Sequence, residues 1–125
     1  MVAYDDPASA TLERAAELAE SVGAELIVTT VTAAVETEDA TEAVLDAQRK
    51  LDEARVRLAG RGVSIEFVPI VGPPGKSIVR LADERGADLI VVGTRKKGFV
   101  ERLVEGSVNQ EVLRRASCDV LVVHR

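Results

Sequence analysis

Gly93, Gly106 and Ser107 bracket a basic stretch, LIVVGTRKKGFVERLVEGS, that runs from Leu89 to Ser107. A buried apolar run, Leu89–Val92, leads into a glycine turn at Gly93. Arg95, Lys96 and Lys97 follow, and Gly106-Ser107 opens a helix with Ser107 near its cap. Where strand, glycine, loop and helix start meet, backbone N–H groups and the positive end of the helix dipole converge. That is how an α/β domain holds an anion such as a phosphate. Glycine lets the chain come close to the anion, and the three cations supply charge. A second polar group, Asp5-Asp6, follows the first apolar segment. It reads as a carboxylate pair for a metal or for acid–base work, or as a cap for the first helix.

Other residues offer less. His124 is the only histidine and sits at the chain end, which speaks against Ser–His–Asp catalysis. Cys118 is the only cysteine, so no intrachain disulfide forms, and it reads as an inert, partly buried thiol. No Cys/His cluster has zinc-ligand spacing. Gly75-Lys76-Ser77 matches the end of a phosphate-loop signature without its upstream glycine, and reads as chance.

The elements that position these residues follow from composition and period. At 125 residues the chain is one domain, residues 1–125, with room for one substantial core. Twenty-one acidic residues face 16 lysines and arginines, which gives nucleic-acid binding no support. Aromatics are limited to Tyr4, Phe67 and Phe99, so there is no platform for stacking bases. No apolar run is long enough for a membrane helix, and the start lacks the pattern of a signal peptide. The expected compartment is the cytoplasm.

Met1–Tyr4 reads as a short strand, and a helix opens at Pro7 or Ala8. Its inward face is Leu12, Ala15, Ala16, Ala19 and Val22, and Gly23 stops it. Ala24–Val31 is a second strand. Asp39 and Glu42 resemble a capping signal for a long helix whose inward face is Val44, Ala47, Leu51, Ala54 and Leu58. Val63–Val71 alternates as a strand, and Pro69 marks it as an edge or a strand end. Gly72–Gly75 reads as a turn and Ser77–Arg85 as a helix ended by Gly86. Asp88–Val92 is a central strand, Ser107–Ala116 the last helix and Asp119–Val123 the last strand. This alternation predicts an α/β fold, a doubly wound five-stranded parallel sheet with helices on both faces. Ligands in such folds bind beyond the carboxyl ends of the strands, where the strand order reverses.

ADLIVVGTR and GSVNQEVLRRASCDVLVVHR resemble the ending of the universal stress protein family. IVGPPGKSIVRLADERGADL, VAYDDPAS and GAELIVTTV are similar to its middle, first-strand and second-strand segments, so the resemblance covers nearly the whole chain. It implies the sheet order 3-2-1-4-5, with Asp5 and Gly93 on one cleft. It also implies ATP, with magnesium possible beside it, bound through Gly, two residues, Gly, nine residues, Gly and Ser or Thr. Gly93 and Gly106-Ser107 match this pattern, but the middle glycine is Lys96. Asp5 falls on the acidic residue near adenine and ribose, and Val31 on the residue bordering the base. Arg95 and Asn109 fall on phosphate-side positions, and Val108 belongs to the GSV start.

Lys96 either closes the cleft with its bulk or holds a phosphate by its charge. A left-handed backbone at a non-glycine residue costs on the order of 1 kcal/mol, too little to decide between these. The alternative is that Arg95-Lys96-Lys97 is a solvated basic loop and Gly93 a turn residue. The last strand, Val120, Leu121, Val122 and Val123, is wholly apolar at a sheet edge. The resemblance implies its cover, the same strand of a second subunit. The expected function is a dimeric nucleotide-binding stress-response regulator with at most slow ATP hydrolysis. The alternative is a dimeric interaction module without nucleotide. A hydrolase of related architecture is disfavoured, because Tyr4–Ser9 lacks a serine-glycine-rich pyrophosphate loop. The first strand is also shorter than is usual for the family.

Overall fold

The computed structural model describes residues 1–4, 10–32, 40–94 and 108–124. In chain order it contains β1 (Val2–Ala3), α1 (Ala10–Val22), β2 (Leu26–Thr32), α2 (Ala40–Leu58), β3 (Ile65–Val71), α3 (Pro74–Arg85) and β4 (Leu89–Thr94). Helix α4 (residues 108–115) and β5 (Asp119–His124) complete it. The five strands form one parallel sheet in the order β3-β2-β1-β4-β5, as expected.

Alternation along the strands sends side chains to two cores. Val2, Val28 and Val91 point to one face and meet Leu12, Ala15 and Ala16 of α1 and Leu51 and Ala54 of α2. Ala3, Ile90 and Val92 point to the other and meet Ile78, Leu81 and Ala82 of α3 and Val112 of α4. β1 is two residues long yet fully covered, because it pairs on both sides, Val2 with Val28 and with Val91.

Two inward positions differ from the periodic reading. In α2 the buried face starts at Ala43, while Val44 is 40% exposed. Both lie one turn from Ala47, and the smaller side chain takes the inside. In α1 the face ends at Ala19, and Val22 is 67% exposed.

Helix α3 starts earlier than its composition suggests. Pro74 and Gly75 belong to its first turn, where a proline costs no hydrogen bond. Gly86 ends it in the left-handed conformation, φ 61°, while the Gly86 and Ala87 N–H groups return to Asp83 and Ala82 carbonyls. Gly75 is buried and packs on α4. A Cβ there would collide with the Glu111 carboxylate and lie 2.9 Å from the Glu111 Cβ. We expect Gly75→Ala to destabilise the fold by about 1–3 kcal/mol in chemical denaturation. Adding Glu111→Ala should recover only part of that loss, because the Cβ contact persists.

The two sheet edges differ. Leu26 donates to the Ser64 carbonyl (2.8 Å) and Gly72 to the Thr32 carbonyl (3.0 Å), which fixes the ladder's phase. Residues 66, 68 and 70 of β3 therefore turn their N–H groups toward β2, and 65, 67 and 69 turn theirs outward. Pro69 thus costs β2 nothing. On the far side, the Met1 nitrogen donates to Leu89 (2.8 Å) and Val91 donates to Met1 (2.7 Å). The even residues of β4 consequently face β5, and the N–H and C=O groups of Val120 and Val122 point away from the sheet.

Candidate functional site

β1 and β4 are neighbours whose following connections diverge, so the strand order reverses between them. The carboxyl ends of these two strands are where an α/β sheet opens a crevice. Gly93 lies at one wall of it. It is not a turn residue. β4 runs on to Thr94, Gly93 pairs with Val123, and its φ is not in the left-handed region. Glycine is needed there for space. A Cβ on Gly93 would collide with Thr11 Oγ1 and sit 3.5 Å from the Thr11 Cβ. Thr11 is buried, 1% exposed, in the first turn of α1. Eighty-two positions separate the pair, so no local pattern in the sequence announces it.

Asn109, in the first turn of α4, donates from Nδ2 to the Gly93 carbonyl at 3.2 Å. That bond ties the end of β4 to the helix that closes the basic stretch. Val108 beside it is half-buried and packs on the α3/α4 core, as does Val31 at the end of β2. The structure thus sets Val31, Gly93, Val108 and Asn109 along the carboxyl edge of the sheet. Asp5, Arg95, Lys96, Gly106 and Ser107 lie outside the described residues.

Threonine and tyrosine hydroxyls near this edge carry no periodic signal in the sequence. Tyr4 follows β1, is 7% exposed, and donates from its hydroxyl to the Lys50 carbonyl in α2 at 2.7 Å. Burial lifts its phenol well above the ordinary value, and the Glu53 carboxylate adds to the rise. The phenol therefore stays a neutral donor and anchors the residue preceding Asp5. In β2, Thr29 donates to the Val68 carbonyl at 2.7 Å. Thr30 Oγ1 and Thr32 Oγ1, on the face toward α2, are buried with no hydrogen-bond partner among the described residues. A buried unpaired hydroxyl costs about 1–3 kcal/mol, an unusual tolerance at a strand end beside the crevice.

Away from the crevice, burial pushes the Cys118 thiol up, and Asp119, Asp83 and Asp88 push the same way against the Met1 ammonium. A thiol held protonated is a poor nucleophile, in keeping with an inert residue. Among the described residues no group of three His, Cys, Asp or Glu could hold a metal ion. No described helix is long and apolar enough to cross a membrane.

Val31 and Val108 are half-buried at the carboxyl edge and pack on the core beneath it.

Comparison with known proteins agrees with this geometry. A family model described as the universal stress protein family matches residues 1–124. Universal stress protein Rv1636 of Mycobacterium tuberculosis is 44% identical over 75 residues, 59% of this chain and 51% of that protein. The chain matches about half the length of its curated relatives, 49% of universal stress protein MJ0577 from Methanocaldococcus jannaschii being a further instance. Among solved structures, a universal stress protein in complex with cAMP superposes with a TM-score of 0.77 at 30% identity. The match covers 99% of this chain and 97% of that one. The Archaeoglobus fulgidus protein in complex with dAMP gives 0.69 at 25% identity, over 98% and 94% of the two chains. The fold, the matched span and these likenesses place the chain in the universal stress protein family.

Proposed function

We propose that this chain binds an adenine nucleotide at the carboxyl ends of β1 and β4 and works as a regulator, not as a catalyst. The observation that carries the reading is the Asn109–Gly93 hydrogen bond. It joins the two ends of the basic stretch at the strand-order reversal, with Gly93 and Gly106-Ser107 in the register of the family's glycine pattern. Relatives of the same fold crystallised with cAMP and dAMP support a ligand of this class. In this reading Val31 and Val108 border the base and Asp5 takes the ribose. The α4 start with Gly106, Ser107 and Asn109, together with Arg95 and Lys96, holds the phosphates. ATP, with magnesium accompanying it, is the nucleotide proposed. No described residue has the placement of a general base for hydrolysis.

The protein is proposed to act in the cytoplasm as a two-fold dimer joined through β5. Support comes from the outward N–H and C=O groups of Val120 and Val122 and from Leu121, which is 42% exposed. A second reading, a dimeric interaction module without nucleotide, draws on Lys96 at the position of the family's middle glycine.

One experiment separates the two readings. The purified chain is denatured and its released small molecules are identified. Folded protein is titrated calorimetrically with AMP, cAMP and ATP, with and without magnesium. Heat and a co-purifying adenine nucleotide are expected. Silence at millimolar concentrations of all three ligands rejects the first reading. Should the chain prove silent, a Lys96→Gly variant that gains binding would identify the missing middle glycine as the cause.

A further inference from the structure

Most described cations are spent on ion pairs. Arg57 of α2 and Arg61 just beyond it meet Glu13 and Glu20 of α1. Arg49 and Lys50 share Asp46, and Arg55 faces Asp52. Arg85 holds Glu66, and Arg115 faces Glu111. Among the described residues, Arg14, Lys76, Arg80 and Arg114 are the lysines and arginines without an ion pair. Arg14 is the only cation of α1. The other three gather on the outer side of α3 and α4.

Helical period puts them there. Lys76 and Arg80 each lie two positions from buried Ile78, and Arg114 lies two positions from buried Val112. At about 100° per residue, two positions reach nearly the reverse side of a helix, and all three residues are exposed. Two contacts set the level of one helix against the other. Gly75 packs against the Glu111 side chain, and Ser117 donates to the Asp83 carboxylate at 2.8 Å. The helices run side by side in the same direction, so Arg114 falls between the levels of Lys76 and Arg80. Packed helix axes lie about 8–10 Å apart, and Lys76 and Arg80 are about 6 Å apart along theirs. The three cations form a triangle over the groove between the helices, two on α3 and one on α4. Like charges one turn apart disfavour a helix, yet no described acid pairs with Lys76 or Arg80 in a chain of 21 acidic residues.

We propose that this groove binds a short acidic segment of a partner protein, three consecutive carboxylate residues in extended conformation. An extended chain sends successive side chains to opposite sides, and its residues i and i+2 are about 6.6–6.8 Å apart. Laid along the groove, its first and third carboxylates meet Lys76 and Arg80, and its second crosses to Arg114. Glu111, at the floor of the groove, is already held by Arg115. Asp83 and Glu84 follow Arg80 on α3 and close the surface at that end, so a fourth carboxylate meets repulsion. The same two residues, with the net charge of −5, oppose a phosphate backbone or an anionic bilayer, whose charges continue past the triangle. The surface lies on the outer side of the helices, away from the crevice, and does not depend on a bound nucleotide.

The test uses the full chain and acetyl-Glu-Glu-Glu-amide in calorimetry at low salt. Binding is expected, weakening about tenfold as salt rises from about 20 to about 200 mM. Acetyl-Glu-Gln-Glu-amide should bind about fivefold more weakly. In the Arg114→Gln chain the two peptides should bind alike, because the second carboxylate has lost its partner. Arg80→Glu should weaken binding at least about tenfold, and Arg14→Glu, in the opposite helix layer, should leave it unchanged. A capped pentaglutamate should gain no more than about threefold, one for each register it offers. Absence of binding at about 10 mM peptide overturns the proposal. So does an equal loss in Arg14→Glu, or a preference for the middle carboxylate that survives Arg114→Gln. Sedimentation with vesicles of phosphatidylserine and phosphatidylcholine, without peptide binding, would assign the surface to a membrane and overturn it as well.

Discussion

A Gly93→Ala chain is expected to lose about 1–3 kcal/mol of stability, read as a lowered denaturant midpoint with an unchanged slope. The added methyl meets Thr11 Oγ1, and Thr11 has nowhere to retreat because it is 1% exposed. A threonine in a helix chooses between two χ1 rotamers, so relief requires the unfavoured well or a shift of α1 away from β4. The partner variant is Thr11→Ala. It removes the hydroxyl, and in the double variant most of the stability lost to Gly93→Ala should return. The coupling between the two sites should then be 1 kcal/mol or more, on the order expected for residues in contact. An additive double variant would refute the packing role. Nucleotide titration of the same double variant gives the second readout. If the glycine serves only Thr11, binding returns with stability. If a ligand also needs the open backbone of Gly93, stability returns and binding does not.

Val122→Lys is expected to convert the proposed dimer into a monomer on size exclusion, with the far-ultraviolet spectrum of the sheet retained. Val122 sits half-buried in β5 and turns its N–H and C=O outward. Lysine there places a charge that a second copy must desolvate, which would weaken association at least 100-fold. Val122→Pro is the sharper variant. Since the Val122 N–H faces away from β4, proline removes only the donor that a partner strand would use. Both variants should therefore be monomeric and folded. A dimer that survives both excludes pairing through β5.

Element order could be read from the sequence, because unbroken apolar runs and glycine stops carry that information locally, whereas the strand order, and with it the β5 edge, came from the resemblance to the universal stress protein family. The departures are also physical. Val44 yields to Ala43 because helical period alone does not choose between adjacent positions. Val22 lies at an inward period position of α1 and is nonetheless exposed, because the last turn of a helix can extend past the face it packs on. Pro74 and Gly75 read as a turn by composition, yet a helix accepts both in its first turn when a neighbour such as Glu111 packs closely. Gly93 was legible as a glycine that matters, but its reason, Thr11, is a contact made only by the folded chain. Of the nine residues proposed to hold a nucleotide, Val31, Gly93, Val108 and Asn109 are described at the carboxyl edge. The sequence pattern had no means of showing Tyr4, Thr30 and Thr32, whose hydroxyls matter through burial and not through spacing.

Pro69 has a consequence for the size an assembly can reach. A sheet with two open edges can add copies without limit, each newcomer offering a fresh edge to the next. Here the β3 edge lacks an outward donor at its middle, and the pyrrolidine ring stands where an approaching strand would lie. Growth through β5 would therefore stop after one addition, because each joined copy presents only its β3 side to solvent. One imino acid on a strand far from the crevice would thus set an upper bound of two on growth along the sheet.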